Sequence, residues 1–325
     1  MNHLRRLACC LTVLCCTIPA VSSWGWGQRG HETVEVVALR LMPHNSFTEL
    51  MLNNIDEVKF LSMVPDMHWK HGSKVPHPLE GQAHFFAFDY YSPGGGPVTT
   101  DINALIAKFG HAEVLKNGTA PWRMHQMAVL LANTLKKPNV SSAEVLQVAS
   151  TMGHYVGDLG NPLHVSMDYD GVEIGRKGLH SFFETITVNA MDVMSLETAV
   201  AKAAQTILPK IPNDVRPIDG GMALAHQGHL EAITLLAAAK KLGLTKQLQV
   251  QEHPIIIRTL ANSTAMLAKV WEEAYILAGS PVLKTGKLGQ VGIPPYVELD
   301  YIQGAAQYMG APFMTPPEGE EGITR

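Results

Sequence analysis

The chain has 325 residues, of which 46% are hydrophobic and 17% charged. That balance is too apolar for a disordered protein and enough for a sizeable core. The formal net charge is −4, so no general basic field gathers polyanions, and any phosphate recognition must come from local cations.

The chain opens on Arg5 and Arg6, an apolar run from Leu7 to Ala20, and then small residues, the pattern of a secretory signal peptide spanning 1–25. The run is short for a bilayer span, and no later stretch reaches the ~20 apolar residues a membrane helix needs. A secreted or periplasmic, soluble mature protein is expected. Cys9, Cys10, Cys15 and Cys16 all lie in the leader, so the exported chain holds together without disulfides. Two cleavage points have suitable small residues upstream, after Ser23 and after Gly25; the second exposes Trp26 as the new amino terminus. Losing Arg5 and Arg6 takes the formal charge from −4 to −6.

From there helical periodicity dominates, with apolar residues three and four apart across 31–42, 101–116, 122–135, 142–159, 193–208, 222–242 and 255–278. Ser141 and Ser142 are placed to cap the fourth segment, and Asn161 with Pro162 to stop it, because proline lacks the amide and restricts its predecessor. Residues 92–100, with three glycines between prolines, read as a loop. Alternating strand patterns are scarce, so the expected fold is all-α: one multi-helix domain over 26–280. The last 45 residues, 281–325, carry six prolines and seven glycines and read as a surface appendage or partly ordered tail.

Chemistry concentrates in HYVGDLGNPLH. His154 and Asp158 are four apart on one helix face and can grip one metal ion from successive turns, while the turn at Asn161 and Pro162 swings His164 toward the same cavity. A lone His/Asp pair is commonly an ordinary surface ion pair. The spacing returns, however, at His180 and Glu184 in GLHSFFE. Imidazole and carboxylate are the ligands zinc accepts where thiolates are absent. Earlier candidates are His31 in WGQRGH, Asp66 in VPDMHWK and His84 in GQAHFF. His68, His71 and His77 lack a paired carboxylate and read as loop histidines, while His226, His229 and His253 lie in ordinary helical stretches and read as surface or satisfied structural histidines.

These motifs resemble the superfamily of zinc-dependent phospholipases C and single-strand-specific nucleases, which share an all-α fold and a three-zinc cluster. The resemblance covers roughly Trp26 to Gly279. It implies that Trp26 binds zinc through its freed amino group and carbonyl oxygen together with His31, so that signal cleavage completes the site. It implies that Asp158 bridges this ion to a second held by Asp66, His84 and His154, with a third on His164, His180 and Glu184. Asp66 is the candidate to orient or deprotonate the attacking water.

Within the superfamily, Glu184 and the short gap from His164 to His180 point to the phospholipase branch, with a phospholipid such as phosphatidylcholine as substrate and transient contact with a membrane surface. Trp69 and Ala87 stand where nucleases usually carry an arginine and an aspartate, and the arginine's loss removes a phosphate clamp. Phe85, Phe86, Phe88, Tyr90 and Tyr91 could flank a choline-like group or stack on a base, though most are expected in the core. The alternative is a single-strand-specific endonuclease or 3′-nucleotidase acting on single-stranded nucleic acid. A rival outside this chemistry is a secreted helical binding protein whose histidines hold a purely structural metal or none. No obligate protein partner is inferred.

Overall fold

A computed structural model describes residues 26–70, 77 and 79–302; the leader over 1–25 and the chain end from 303 fall outside the described residues. The expected all-α architecture is what forms: among the described residues there are helices and turns and no strand. The first helices are α1 (Gln28–Leu41), α2 (Ser46–Asn53) and α3 (Ile55–Ser62). Helix α2 is fixed by a capping box in which Asn45 accepts from the Thr48 amide while the Thr48 hydroxyl accepts from the Asn45 amide. A π-helical turn, Pro65–Lys70, and a 3-10 turn, Gly81–His84, follow, then α4 (Phe88–Tyr91), α5 (Ile102–Phe109), α6 (His111–Lys116), α7 (Ala120–Leu135) and α8 (Ser142–Gly160). Beyond the 3-10 turn Pro162–Val165 come α9 (Leu179–Ser181), a second π-helical turn Phe182–Thr187, α10 (Val188–Ala190), α11 (Val193–Ile207), α12 (Pro217–Leu242) and α13 (Lys246–Leu277).

Periodicity located the long helices but not every boundary. The segment expected over 101–116 is split at Gly110, whose φ of 88° no helix accommodates. Helix α13 starts at Lys246 rather than near 255, with Pro254 inside it. The ring removes the bond to the carbonyl of residue 250, and Val250 lies at the surface, 67% exposed, where water can replace that bond. Ser141 occupies the N-cap of α8 without a side-chain capping bond, and the Ser142 hydroxyl instead donates to the Lys284 carbonyl (2.8 Å).

Helix α13 is the central post, packing against α1, α7, α8, α11 and α12. Trp271 is fully buried on it, its indole donating to the Ala149 carbonyl on α8 (3.2 Å). Helix α8 packs on both α13 and α1, which also pack on each other, and two of its glycines set that closeness. A Cβ on Gly157 would stand 2.8 Å from His31 Nδ1, and one on Gly160 would collide with the Ser263 hydroxyl at 1.9 Å. No described helix is long and apolar enough to cross a membrane.

Composition suggests an appendage from 281 onward, but residues 281–302 run as an extended strap hydrogen-bonded along the helical body. Leu283 N donates to the Ser46 hydroxyl and Leu288 N to Asn54 Oδ1, and Gln147 Nε2 donates to the Val291 and Gly292 carbonyls. Leu283, Leu299, Tyr301 and Ile302 are buried in the same core as the helices. The prolines and glycines prevent a helix there without preventing attachment, because side chains of the body supply the partners the strap's backbone needs.

Candidate metal centre

The motif helix supplies the middle of the site. His154 and Asp158 leave α8 one turn apart, and Pro162 then ends the helix, with Asn161 Oδ1 accepting from the Leu163 amide (3.0 Å). The 3-10 turn that results places His164 beside Asp158, Nδ1 to Oδ1 3.6 Å. Both π-helical turns deliver a carboxylate: the first carries Asp66, the second Glu184. A π-turn holds an extra residue against a helix's usual register, and such turns concentrate at functional sites.

Around Asp158 the groups converge. Its Oδ2 lies 2.9 Å from His84 Nδ1 and 3.3 Å from His154 Nε2, and its Oδ1 lies 3.5 Å from His31 Nε2. Asp66 approaches His84 Nδ1 at 3.5 Å and His154 Nε2 at 3.8 Å. On the other side His180 Nε2 is 2.8 Å from Glu184 Oε2, and His164 Nε2 is 3.6 Å from the same oxygen. Three donor clusters result: His31 with Asp66 and His154; His84 with His154 and Asp158; His164 with His180 and Glu184. All eight side chains are at most 1% exposed.

Trp26, the ninth sequence candidate, is buried against the same helix, its indole donating to the Gly157 carbonyl at 2.8 Å. In the full-length chain its nitrogen is the peptide nitrogen joined to Gly25, so amino-group ligation concerns only a cleaved form.

The donor set fits divalent metal on three counts. Ligands ~2.0–2.1 Å from a tetrahedral zinc stand about 3.3 Å from one another, and the separations within the clusters scatter around that value. Imidazole nitrogens face each other at 3.1 Å (His84 Nδ1, His154 Nε2) and 3.2 Å (His164 and His180 Nε2), which needs a shared proton or a cation between them. Finally, both His31 nitrogens, Asp158 Oδ1 and Glu184 Oε1 are buried without a hydrogen-bond partner.

The ring nitrogens turned away from the centre are also tied. Nδ1 donates to the Ser62 carbonyl in His154 (2.7 Å), to the His84 carbonyl in His164 (2.7 Å) and to the Tyr169 carbonyl in His180 (3.1 Å). Each bond fixes the tautomer that leaves the Nε2 lone pair aimed inward.

Three carboxylates here are shielded from water, and the electrostatics follow. Burial alone would raise the Asp66 carboxyl, but His154, His84 and Lys70 outweigh it and hold it well below the usual range. Burial would likewise raise Asp158, yet His164 and His154 keep it low. Burial and Lys70 press His84 down, but Asp158, Asp66 and Glu80 push it up to about 9. Burial lowers His180, and Glu184 more than restores it. His31 goes the other way, depressed by burial and then by His154.

Beside the centre is a cavity of about 560 Å³, reached from the cluster through His164 and lined also by Lys70, Gln82, Phe85, Tyr90, Asn117 and Tyr169. The aromatic run after His84 divides here. Phe86, Phe88 and Tyr91 are in the core, while Phe85 stacks on His164 (4.5 Å, 4°) and forms a cavity wall with Tyr90.

Because Asp66 sits in a π-turn, Trp69 is rotated into the core, 3% exposed, and its indole donates to the Pro294 carbonyl. Lys70 takes the place beside Asp66 (Nζ to Oδ1 3.4 Å) at the cavity wall.

Lys70, Glu80, Arg123 and Tyr155 escaped the sequence reading. A signal existed for two of them, since Glu80 precedes His84 and Lys70 follows Asp66 by the same four residues that singled out the other pairs. Of the histidines set aside, His77 stacks on Tyr296 at 3.6 Å, and His226 and His229 pack on Phe88, all away from the cluster. His71 lies outside the described residues.

No family model matches the chain, and no curated protein matches it. Fifteen chains of solved structures do match. One of them, the alpha toxin from Clostridium absonum, has a TM-score of 0.50 at 15% sequence identity, over 77% of this chain and 67% of that chain. At that identity the likeness shows the all-α fold.

Proposed function

We propose that this chain is an exported, zinc-dependent phosphodiesterase of the phospholipase C type, holding three zinc ions and hydrolysing the glycerol-side phosphodiester bond of phospholipids such as phosphatidylcholine. The observation that carries this reading is the merging of three buried His and carboxylate clusters around Asp158, beside a cavity that meets them at His164. A structural metal site is closed by protein ligands, whereas this one borders a space that fits a small substrate group. The all-α likeness to the alpha toxin supports it at the level of the fold.

Zinc bound here would supply Lewis acidity toward the phosphoryl oxygens and ready ionisation of water at neutral pH. The chain's own residues do the rest. Asp66, kept ionised by its neighbours, orients the attacking water. Lys70 sets a positive charge at the cavity wall for the phosphate, its Nζ 5.5 Å above the Phe85 ring. Asn161 Nδ2 donates to Glu184 Oε2 (3.2 Å) and steadies that carboxylate. Phe85 and Tyr169, with Tyr90, give the cavity an apolar side for the organic part of the substrate.

A second reading, single-strand-specific nuclease, is favoured by Lys70 together with Lys116 and Asn117 in the same cavity, since cations and amides beside aromatic rings also suit a nucleotide. Against it stand Ala87, which offers no acid for a base contact, and the acidic overall charge. The deciding experiment gives zinc-loaded, cleaved protein phosphatidylcholine vesicles and a single-stranded oligonucleotide in parallel, with metal analysis. Phosphocholine release with about three zinc per chain is expected. Nucleotide release without phosphocholine transfers the assignment to the nuclease, and less than one zinc per chain defeats both.

A further inference from the structure

Three of the histidines present Nε2 to the centre and lean on backbone carbonyls. His84 is built differently. It presents Nδ1, and its Nε2 faces the Glu80 carboxylate (3.1 Å). Glu80 is fully buried one turn back along the chain, and the same carboxylate accepts from the Tyr155 hydroxyl and from Arg123 Nη2 (3.2 Å). Arg123 is also fully buried. Its Nη1 donates to Gln126 Oε1 (2.7 Å) and to the Val297 carbonyl of the strap (2.8 Å), while Gln126 Nε2 donates to the Glu298 carbonyl (2.6 Å).

A buried ion pair is a poor source of stability, since desolvating both charges cancels most of their attraction. This one has a geometric consequence: a carboxylate behind Nε2 holds the proton on that nitrogen and aims the Nδ1 lone pair at Asp158, Asp66 and His154. Arg123 balances the carboxylate, and the strap's carbonyls in turn hold Arg123. The C-terminal segment that composition marks as an appendage is thereby joined to the centre through four consecutive polar contacts: strap to Arg123, Arg123 to Glu80, Glu80 to His84, and His84 to Asp158.

We infer that Glu80 is the positioning residue for His84, and that Arg123, anchored by the strap near Val297, is its support, so that metal retention on His84, His154 and Asp158 depends on a pair that touches no metal itself. The inference rests on the metal-centre reading above.

The test uses the full mature chain and compares Glu80→Gln with the double variant Glu80→Gln/Arg123→Gln. The first leaves Arg123 buried without its counter-charge; the second removes both charges, so it separates misfolding from mispositioning. Zinc affinity by chelator competition and the absorption spectrum of the cobalt-loaded protein are read beside thermal melting. In both variants one class of metal is expected to bind roughly 10–100-fold more weakly with an altered cobalt spectrum, while the double variant recovers most of the melting temperature lost in the single one. Wild-type affinity and spectrum in the double variant would overturn the inference, because the effect of Glu80→Gln would then be stability alone. Equal weakening of every metal class would also overturn it. A wild-type chain that takes up no zinc at all refutes the metal centre itself, an outcome distinguishable from both.

Discussion

The two halves of the centre are backed in opposite ways. Behind His84 stands Glu80, whose carboxyl burial would raise but which Arg123 and His84 hold below its ordinary range, so a full charge is kept in the core by a matched partner. Behind Glu184, the same π-turn carries Thr187, whose hydroxyl donates to Glu252 on α13. Glu252 is also buried but forms no ion pair among the described residues, its Oε1 lacks a hydrogen-bond partner, and burial pushes its carboxyl up to about 7 against a smaller opposing effect of Thr187. One half is braced by a charge pair tied to the strap, the other by a carboxyl that burial raises to about 7.

The largest expected effect breaks both halves at once. Asp158→Asn removes charge from the carboxylate shared by His31, His84, His154 and His164, and should lower phosphodiesterase activity by about 10²–10³-fold with loss of more than one metal per chain. Glu184→Gln, confined to the cavity side, should lose a single metal. Metal analysis of the two variants beside activity decides the point, and equal losses would mean that the halves are not separable.

A smaller effect belongs to the cavity wall. Lys70→Gln should reduce turnover roughly 10-fold, the worth of one charge-assisted hydrogen bond, with zinc content unchanged and substantial recovery in Lys70→Arg. If zinc is lost as well, Lys70 serves Asp66 rather than the substrate.

The smallest effect sharpens the contrast in backing through pH. A carboxyl raised from 4.5 to about 7 keeps its proton in the folded protein where the unfolded chain has released it. Its contribution to stability is therefore greatest below pH 4.5 and is lost as pH rises through 7. Across that window wild type should lose, relative to Glu252→Gln, on the order of 3 kcal/mol. Urea midpoints of the two proteins at matched zinc from pH 4.5 to 7.5 measure it. Parallel curves would show that Glu252 titrates normally.

Much of the centre was legible in the chain because a helix enforces its own geometry. Residues four apart share a face wherever the helix sits, so His154 with Asp158 and His180 with Glu184 could be paired before any packing was known. The stop at Asn161 and Pro162 is equally local, because it follows from a missing amide. The all-α architecture was carried by apolar periodicity, and the resemblance to zinc-dependent phospholipases and nucleases grouped the candidates His31, Asp66 and His84 with the motif residues around the ions and added Trp26.

Packing decided what local rules could not. Whether His31, Asp66 and His84 meet α8 depends on how closely α1 and α3 approach it, which is set by contacts such as that of Gly157 with His31. The four-residue spacing already sets Lys70 beside Asp66, but the burial of Trp69 within the π-turn Pro65–Lys70 depends on the core that surrounds it. The path of the strap depends on packing for the same reason. Proline and glycine forbid a helix through their own backbones, but the partners of an extended segment lie on other parts of the chain, and only the folded body brings Arg123, Gln126 and Asn54 to meet it.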